Sequence, residues 1–427
     1  MNACKLTEKL NNDEFTEQLM LLYGTDEQVL ALQKQRYIKA IRAFMQLFPG
    51  REDIHLFSAP GRSEIGGNHT DHQHGCALAA AVDLDVIAVV AFHNDGVIRV
   101  QSEGHRRNVI DLSDLSVHED ERERSNALIR GIAAGFAERG VAVSGFDAYT
   151  VSDVFSGSGL SSSAAFETLI GTVIDTHDNG GNAGEIEIAK TGHCAENVYY
   201  GKGSGLLDQL VCSVGGFVFI DFNDTAAPVV KKYRFDFEEA GYRLCITDTK
   251  GSHSDLTGEY AAVPAEMKSV AAYFGKRVLR EVDEKAFYEA LPDLRGKCSD
   301  RAILRAMHFF GENKRAIQEA DALERGDLER FFALYRQSAA SSETLLQNLY
   351  ATSDPTEQAI PLALAVSRLV LGDDGAARVH GGGFAGTVQA FVPAEKTEEY
   401  VKAMDAMFGD GSCRAVRVRP VGGFQLI

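Results

Sequence analysis

Apolar residues near the start of the chain recur every three to four positions, which is the period of an amphipathic helix. This pattern extends from residue 26 to residue 47 and ends at Pro49-Gly50, so it predicts one long helix. A run rich in Val and Ile, from Leu84 to Phe92, predicts a buried strand. Shorter runs predict two more strands, from His55 to Ser58 and from Phe146 to Phe155.

The rest of the chain combines longer helices with a few short strands. A helix is predicted from about Ser162, and residues 300–350 are predicted to be almost wholly helical. Within that stretch Gly326-Asp327 indicates a stop and a restart, because glycine tolerates the left-handed conformation and aspartate is a good N-cap. Strands are expected at Arg243 to Thr247 and at Thr387 to Val392. This order of elements predicts an α+β fold rather than a regular β-α-β series.

Length and charge narrow the class of protein. The chain has 427 residues, enough for two or three domains, and we expect a division into residues 1–225 and residues 226–427. Its 61 acidic and 43 basic residues give a net charge of −18, which argues against nucleic acid or an anionic membrane as the main partner. A nucleotide is not excluded, because local N–H groups and one cation can hold a phosphate inside an acidic protein.

The cysteines and the apolar segments indicate where the protein works. The seven cysteines form no C-x-x-C pair, so neither a disulfide framework nor a zinc ribbon is expected. The N-terminal residues lack the apolar core of a signal peptide. The most apolar stretch, Ala77 to Phe92, contains Asp83 and Asp85 and is too short to span a bilayer. We therefore expect a reduced, soluble, cytoplasmic protein.

A segment rich in Gly and Ser, Ser156 to Ala165, lies between a predicted strand and a predicted helix. Glycine N–H groups and a helix N-terminus can hold an anion, and serine hydroxyls can bind phosphate oxygens or Mg²⁺. The segment has no G-x-x-x-x-G-K-[ST] pattern, so the common P-loop is excluded and a phosphate site would need a cation from elsewhere. The alternative is an ordinary serine-capped helix that follows a loop.

A second segment, Ala59 to His74, places one arginine, two carboxylates, three histidines and two amides among glycines. So many polar groups are costly to bury, which indicates a ligand site. Two other interpretations stay open from this segment alone. One is a zinc site formed by His69, Asp71, His72 and His74, and the other is a solvated turn.

A third segment, Arg378 to Gly386, places four glycines before a predicted strand, which is typical of backbone packed against a flat or charged ligand. The order, spacing and flanks of the three segments resemble the GHMP family of small-molecule kinases, and within it the galactokinases. The resemblance covers nearly the whole chain. It extends to four further segments, which are Ala195-Glu196, Asp208-Gln209, Gly326-Asp327 and Arg419 to Gly423.

This resemblance implies a fold and an activity. The fold is the two-domain α+β fold of GHMP kinases, with an N-terminal domain like ribosomal protein S5, a ferredoxin-like C-terminal domain and an active site in the cleft between them. The activity is transfer of the γ-phosphoryl group of ATP, with Mg²⁺, to the anomeric (C1) hydroxyl of galactose, giving galactose 1-phosphate. A monomer is expected. The alternative of a different class, a galactose- and ATP-binding sensor without turnover, is opposed by the intact set of transfer residues.

The resemblance also implies roles for individual residues. Asp208 would take the proton of the sugar hydroxyl, and Arg62 would keep that carboxylate ionised. Ser163 and Glu196 would hold Mg²⁺. ATP would be bound by Ser102, Gly157, Ser158, Gly159, Leu160, Ser161, Ser162 and Ser163. The substrate would be bound by Glu64, Asn68, His69, Thr70, Asp71 and Tyr260, and a glycine loop near the phosphates would contain Gly381, Gly382, Gly383 and Gly386.

Three positions depart from the family motif G-R-x-N-[LIV]-I-G-E-H-T-D-Y. Glu64 stands at its asparagine, Asn68 at its glutamate and His72 at its tyrosine. In one hypothesis Glu64 and Asn68 have exchanged places across a tight turn, and the substrate remains galactose. In the other, the amide of Asn68 tolerates a substrate carboxylate, and the pocket accepts galacturonate or another altered sugar. We favour the first because the other expected sugar-binding and catalytic residues are present.

Overall fold

Two β-sheets organise the chain in a computed structural model, which describes residues 1–154, 160–251 and 256–427. The strands among these residues are β1 (His55–Gly66), β2 (Cys76–His93), β3 (Val97–Ser102), β4 (Asn108–Asp111), β5 (Gly145–Ser152), β6 (Phe217–Asp221), β7 (Val229–Tyr233), β8 (Tyr242–Asp248), β9 (Ala376–His380), β10 (Thr387–Pro393), β11 (Cys413–Val416) and β12 (Phe424–Gln425). The first sheet has the order β12-β1-β2-β5-β3-β4, with β6 paired to β2 and β7 paired to β6. The second has the order β11-β8-β10-β9.

Helices cover both sheets. In chain order they are α1 (Ala3–Asn11), α2 (Thr16–Tyr23), α3 (Glu27–Leu47), α4 (Ser125–Glu138), α5 (Ser162–Asp178), α6 (Gly184–Cys194), α7 (Leu207–Val214), α8 (Thr257–Tyr273), α9 (Glu284–Glu289), α10 (Leu291–Leu294), α11 (Asp300–Arg325), α12 (Leu328–Ser341), α13 (Ala359–Leu371) and α14 (Thr397–Phe408). Two π-helical turns, Ala195–Tyr200 and Ser342–Leu346, follow α6 and α12. The mixture of sheets and helices confirms the predicted α+β class.

Strand β2 is the centre of the first sheet and is buried on both faces. One set of alternating residues, Val86, Ala88 and Val90, belongs to the same hydrophobic core as residues of α4 and α5. The other set, which includes Ile87 and Val89, packs with α1, α2 and α3. A strand covered on both sides reads as a continuous apolar run, and this explains why the sequence predicted it so clearly.

Two predicted helical features are confirmed: the start of α3 and the break between α11 and α12. Helix α3 begins after Asp26, whose carboxylate accepts hydrogen bonds from the N–H groups of Gln28 and Val29 at 2.8 and 3.1 Å. Gly326 has a φ of 68° at the end of α11, and the Asp327 side chain accepts from the N–H of Arg330 at 3.0 Å to begin α12. Both ends satisfy helix-terminal backbone groups.

Strand β1 is longer than the sequence predicted, which is a correction to the glycine-rich loop expected after Ser58. The strand continues to Gly66, with register shifts between Pro60 and Arg62 and between Glu64 and Gly66. These irregularities absorb the proline and the glycines, because the longer strand β2 pairs with β1 from His55 to Gly66. The first half of the second motif therefore lies in a bulged strand.

Strand β2 also begins earlier than predicted, at Cys76, and contains the two aspartates that had seemed to interrupt it. Asp85 is fully buried, and its carboxylate pairs with Arg36 at 2.5 Å and with Arg419 at 3.2 Å. A buried carboxylate is tolerated when it is paired and hydrogen-bonded. The charge in the apolar run is thus compensated by partners that are distant in sequence.

The second sheet has the split β-α-β arrangement of ferredoxin-like folds. Its strands occur in the chain as β8, β9, β10 and β11, whereas β8 and β10 occupy the centre of the sheet. After β11 the chain returns to the first sheet, where Val418 forms a bridge with Val82 and β12 pairs with β1. The division at residue 225 stays a prediction, and β7 and β12, which follow it in sequence, extend the first sheet.

Two further properties concern the cysteines and the helices. All seven cysteines are free thiols. Among the described residues, no helix combines the length and the apolar character that crossing a bilayer requires.

Candidate active site

The guanidinium of Arg62 and the carboxylate of Asp208 form a two-point ion pair. The distances from Nε to Oδ1 and from Nη2 to Oδ2 are both 2.7 Å. Arg62 follows the first bulge of β1, and Asp208 lies in the first turn of α7. Burial alone would lower the pKa of Arg62, but Asp208 raises it, so the guanidinium keeps its charge. The Asp208 side chain is 31% exposed and is therefore accessible to a substrate.

The start of α5 meets this ion pair through a close backbone contact. The N–H of Arg62 donates to the carbonyl oxygen of Leu160 at 3.0 Å. A Cβ atom on Gly61 would lie 2.9 Å from that oxygen, so glycine is needed there. Ser161, with a φ of 55°, donates from its hydroxyl to Asp208. The first and second sequence motifs thus meet at one carboxylate.

A second carboxylate, Glu196, lies in the π-helical turn and is 3% exposed. Its oxygens accept from Ser163 Oγ at 3.3 Å and from Gln209 Nε2 at 2.9 Å. A hydroxyl and a carboxylate are hard oxygen ligands of the kind that Mg²⁺ prefers. Among the described residues, no group of three or more His, Cys, Asp or Glu is placed to hold a metal. The residues present fit an ion that takes its remaining ligands from water and phosphate.

A third carboxyl group, Glu167 on α5, was not found from the sequence. It is 1% exposed, one of its oxygens accepts from Gln209 Nε2 at 3.0 Å, and the other has no hydrogen-bond partner among the described residues. Burial, and then the charge of Glu196, raise the pKa of Glu167 well above its usual range. The neutral acid is therefore favoured, which limits repulsion beside Glu196. Its sequence signal was a glutamate at a core-facing position of an apolar helix.

A cavity of about 530 Å³ opens beside Glu196, a suitable size for a nucleotide. The predicted ATP-binding residues Ser102, Ser162 and Ser163 line it. The side chain of Leu160 is instead fully buried in the core. Three other residues predicted to bind ATP, Gly157, Ser158 and Gly159, lie outside the described residues.

The loop between β1 and β2 carries the predicted sugar-binding residues. His69 has a φ of 57°, and its Nε2 donates to the carbonyl oxygen of Gly382 at 2.9 Å. An Oδ atom of Asp71 lies so close to Gly205 that a Cβ there would be 3.0 Å from it, which places Asp71 beside the segment leading to Asp208. Thr70 is fully buried, and its hydroxyl contacts the carbonyl oxygens of Gly67 in the loop and of Cys76 at the start of β2, so it holds the turn.

The histidines of this loop have separate partners. The Gln73 amide donates to His72 Nδ1 at 3.1 Å, because the oxygen of that amide already accepts from the N–H of Leu279 at 3.0 Å. His69 donates to Gly382 instead. The zinc interpretation is therefore not supported, since the described residues contain no group of three or more His, Cys, Asp or Glu that could hold a metal ion.

Glu64 and Asn68, the two exchanged positions, are hydrogen-bonded to each other. Asn68 Nδ2 donates to Glu64 Oε1 at 2.8 Å and to the carbonyl oxygen of Gly381 at 2.7 Å. Asn68 Oδ1 accepts from Asn348 Nδ2 at 3.0 Å, and Asn68 is fully buried. Glu64 Oε1 also pairs with Arg378 Nη2 at 2.5 Å. The amide of Asn68 is thus committed to protein partners, and Glu64 is the carboxylate at this position.

The third glycine motif packs against the same loop. We predicted that it lies near the phosphates, and this stays a prediction; the carbonyl oxygens of three of its glycines contact residues that were predicted to bind the sugar. Gly381 accepts from Asn68, Gly382 from His69, and Gly383 from Tyr260 Oη at 2.9 Å. Carbonyl oxygens are acceptors only, so a turn that exposes three of them binds donor side chains. Gly386 accepts from Thr249 and lies outside these contacts.

Buried polar side chains on α11 form hydrogen bonds to the backbone of the loop between β1 and β2. We call this loop the sugar loop, after its predicted sugar-binding residues. His308 Nε2 donates to the carbonyl oxygen of Asn68 at 2.9 Å, which requires the neutral tautomer with its proton on Nε2 when Nδ1 accepts from Ser341 at 2.8 Å. Glu312 accepts from the N–H groups of Gly67 at 3.2 Å and Asn68 at 3.4 Å. Burial would raise the pKa of Glu312, but Arg315 and other positive neighbours lower it to about 2.

Acidification from pH 7 to pH 5 should destabilise the wild-type protein more than the His308→Gln variant. Burial lowers the pKa of His308 to about 4, whereas an unfolded histidine titrates near 6.5. Between these values the unfolded state binds the extra proton, so the free energy of unfolding falls as the pH falls, by about 2 kcal/mol at pH 5. Urea unfolding at both pH values measures this difference, and equal losses in the two proteins would contradict the prediction.

Comparison with known proteins agrees with this geometry. The GHMP kinases N terminal domain matches residues 127–216, and the galactokinase galactose-binding signature matches residues 42–92. A crystal structure of Lactococcus lactis galactokinase complexed with galactose superposes with a TM-score of 0.75 at 22% identity, covering 90% of this chain and 98% of that one. The mevalonate kinase of Methanococcus jannaschii has a TM-score of 0.61 at 16% identity, covering 86% and 99%. The fold is that of the GHMP class of small-molecule kinases.

A sequence relative identifies the family within this class. The galactokinase of Streptomyces coelicolor is 30% identical over 379 residues, which cover 88% of this chain and 94% of the relative. The chain therefore belongs to the galactokinase family of GHMP kinases. As a member of a kinase family, it uses ATP.

Proposed function

We propose that this chain transfers the γ-phosphoryl group of ATP to the anomeric (C1) hydroxyl of galactose, giving galactose 1-phosphate. The observation that carries the proposal is the ion pair of Arg62 and Asp208. It lies between the start of α5, which contacts Asp208 through Ser161, and the segment beside Asp71. An accessible carboxylate at the junction of a sugar loop and a nucleotide cavity is what phosphoryl transfer to a hydroxyl requires.

Asp208 is the base in this proposal. It accepts the proton of the sugar hydroxyl as that oxygen attacks the γ-phosphorus atom, and a positioned base of this kind contributes about 10²–10⁴-fold to the rate. Arg62 contacts both carboxylate oxygens and so fixes the orientation of the carboxylate. Its guanidinium also stabilises negative charge on the transferring group.

Ser163 and Glu196 would hold Mg²⁺, which when bound neutralises charge on the nucleotide phosphates. Gln209 fixes the orientation of the Glu196 carboxylate through its amide. The hydroxyls of Ser102 and Ser162 line the cavity in which the nucleotide would lie. In this arrangement the protein positions two substrates and supplies a base.

The geometry favours an unaltered sugar over galacturonate. Both N–H groups of the Asn68 amide are used by Glu64 and Gly381, and its oxygen is used by Asn348. Asn68 therefore has no donor left for a substrate carboxylate. Glu64 supplies a carboxylate on this side of the loop, which accepts hydrogen bonds from a hydroxymethyl group and repels a uronate. His69, Asp71 and Tyr260 complete the proposed sugar site.

A sensor without turnover is the alternative of a different class. Binding alone needs no proton acceptor, yet Asp208 is oriented by Arg62 and Ser161 together. We therefore favour an enzyme. We expect it to be cytoplasmic and monomeric. Size-exclusion chromatography with light scattering tests the oligomeric state.

ADP release should be fastest with galactose in a panel that also contains galacturonate, N-acetylgalactosamine, L-arabinose and glucose. We expect kcat/KM for galactose to exceed that for galacturonate by about 100-fold or more, because two facing carboxylates cost several kcal/mol. Glu64→Gln should reduce the ratio of kcat/KM for galactose to kcat/KM for galacturonate. Glu343→Gln is the control: it changes an exposed ion-pair partner of Arg368 and should leave this ratio unchanged.

Two results would overturn the proposal. A preference for galacturonate would make the altered-sugar hypothesis correct. Binding of galactose and ATP without any ADP release would leave the sensor. In either case the fold and the family membership would stand, because they do not depend on the assay.

A further inference from the structure

A lysine projects into the nucleotide cavity beside the proposed Mg²⁺ ligand. Lys202 lines the cavity of about 530 Å³, and its Nζ lies 3.1 Å from Glu196 Oε1. It follows the π-helical turn, six residues before Asp208. None of the three sequence motifs contains this lysine.

The cavity carries an excess of negative charge for a site that receives ATP. Its described lining includes the carboxylates of Glu103, Glu123 and Glu196, together with His105, and Lys202 is the only lysine or arginine among the described lining residues. A polyphosphate would be repelled by this surface unless a cation faced it.

The two cations near the site differ in how firmly they are held. Arg62 is fixed to Asp208 at two points and is nearly buried, with 11% of its side chain exposed. Lys202 makes an ion pair with Glu196 while 60% of its side chain is exposed. Glu196 itself is nearly buried, so the ammonium can change partner only where another cation compensates that carboxylate. Open space around Gly203 allows this segment to adjust.

We propose that Lys202 is a phosphate-binding residue, which pairs with Glu196 in the free enzyme and moves to the β- and γ-phosphate oxygens of bound ATP. This inference rests on the proposed function. Glu196 can release the ammonium because a divalent cation on the same carboxylate compensates its charge. Lys202 then supplies the positive charge that a lysine supplies in a P-loop, from a different part of the chain.

Lys202→Met should weaken ATP binding and leave adenosine binding unchanged, because adenosine has no phosphate. A charge-assisted hydrogen bond to phosphate contributes about 10- to 100-fold, so we expect the Kd for ATP to rise at least tenfold. Lys202→Arg should restore most of the affinity. Isothermal titration with ATP and with adenosine, with and without Mg²⁺, gives the four dissociation constants. In steady-state assays the KM for ATP should rise and the KM for galactose should stay constant.

Lys402→Met is the control, since the Lys402 side chain is exposed to a similar degree and pairs with Glu398 at 2.6 Å on α14, outside the cavity. It should leave the Kd values for ATP and adenosine unchanged. An unchanged Kd for ATP in Lys202→Met would overturn the inference. Equal weakening of ATP and adenosine would overturn it as well, because it would show that Lys202 only shapes the cavity. Failure of the wild-type protein to bind ATP would overturn the proposed function, and this inference with it.

Discussion

Asp208→Asn should lose phosphoryl transfer by at least about 10²–10⁴-fold while it still binds galactose and ATP. Asparagine has nearly the shape of aspartate, so the fold of α7 and the contact with Arg62 are largely kept. It cannot accept the proton of the sugar hydroxyl. ADP release under saturating substrates measures the rate, and calorimetric titration with each ligand measures binding.

Asp221→Asn is the matched control for this substitution. Asp221 also faces an arginine, since both of its carboxylate oxygens accept from Arg280 Nη2, at 3.2 and 2.9 Å, and its exposure is similar at 25%. It lies outside the candidate site, so its amide variant should retain activity within a few-fold. A loss of less than about tenfold in Asp208→Asn would show that Asp208 is not the base.

Arg378→Leu should lower the free energy of unfolding by about 3–5 kcal/mol. Arg378 is fully buried and pairs with Glu64 Oε1 at 2.5 Å, while its Nη1 lies 3.7 Å from Glu312 Oε1. Its removal leaves the nearly buried carboxylate of Glu64 without its ion-pair partner, so the desolvation of that carboxylate is no longer compensated, whereas Glu312 keeps Arg315 at 2.7 Å. Because Glu64 and Glu312 both hold the sugar loop, the affinity for galactose should fall as well.

Urea denaturation at pH 7 measures this loss, and Arg336→Leu is the control. Arg336 is exposed on α12, where it donates to the carbonyl oxygens of Asp373 and Gly375. No charged partner is left behind in that variant, so its loss should stay near 1 kcal/mol or below. Similar losses in the two variants would contradict the role assigned to the buried ion pairs.

Periodic elements were predictable from sequence because their burial is set by the local pattern. Helix α3 begins after its Asp26 cap and ends where Pro49-Gly50 indicated, and the break at Gly326-Asp327 lies between α11 and α12. Strand β1 was underestimated because its continuation through Pro60 depends on pairing with β2 rather than on its own residues. Local propensity does not contain that information.

The candidate site also contains both residues that the sequence indicated and residues that it could not indicate. The Gly/Ser segment, Arg62 and Asp208 were identified through resemblance to a family, and the structure brings Arg62 and Asp208 into contact. The supports of the site could not be found this way. Asn68 donates to Gly381, 313 residues further along the chain, and His308 reaches Asn68 from α11. Their only sequence signal was a series of polar residues at core-facing positions of α11, namely Arg305, His308, Glu312 and Glu319.

Because β12 pairs with β1, the first sheet cannot be completed during synthesis until the C-terminal segment has emerged from the ribosome. On the ribosome, the strand that completes the β1 edge emerges about 190 residues after β7, a delay of roughly 10–40 s at typical rates of synthesis. Until then the edge at Phe57 and Ser58 lacks β12, and Asp85 lacks Arg419. An open strand edge beside an incompletely paired buried charge invites pairing with other nascent chains. The first half is thus expected to depend on chaperones until the last segment has docked.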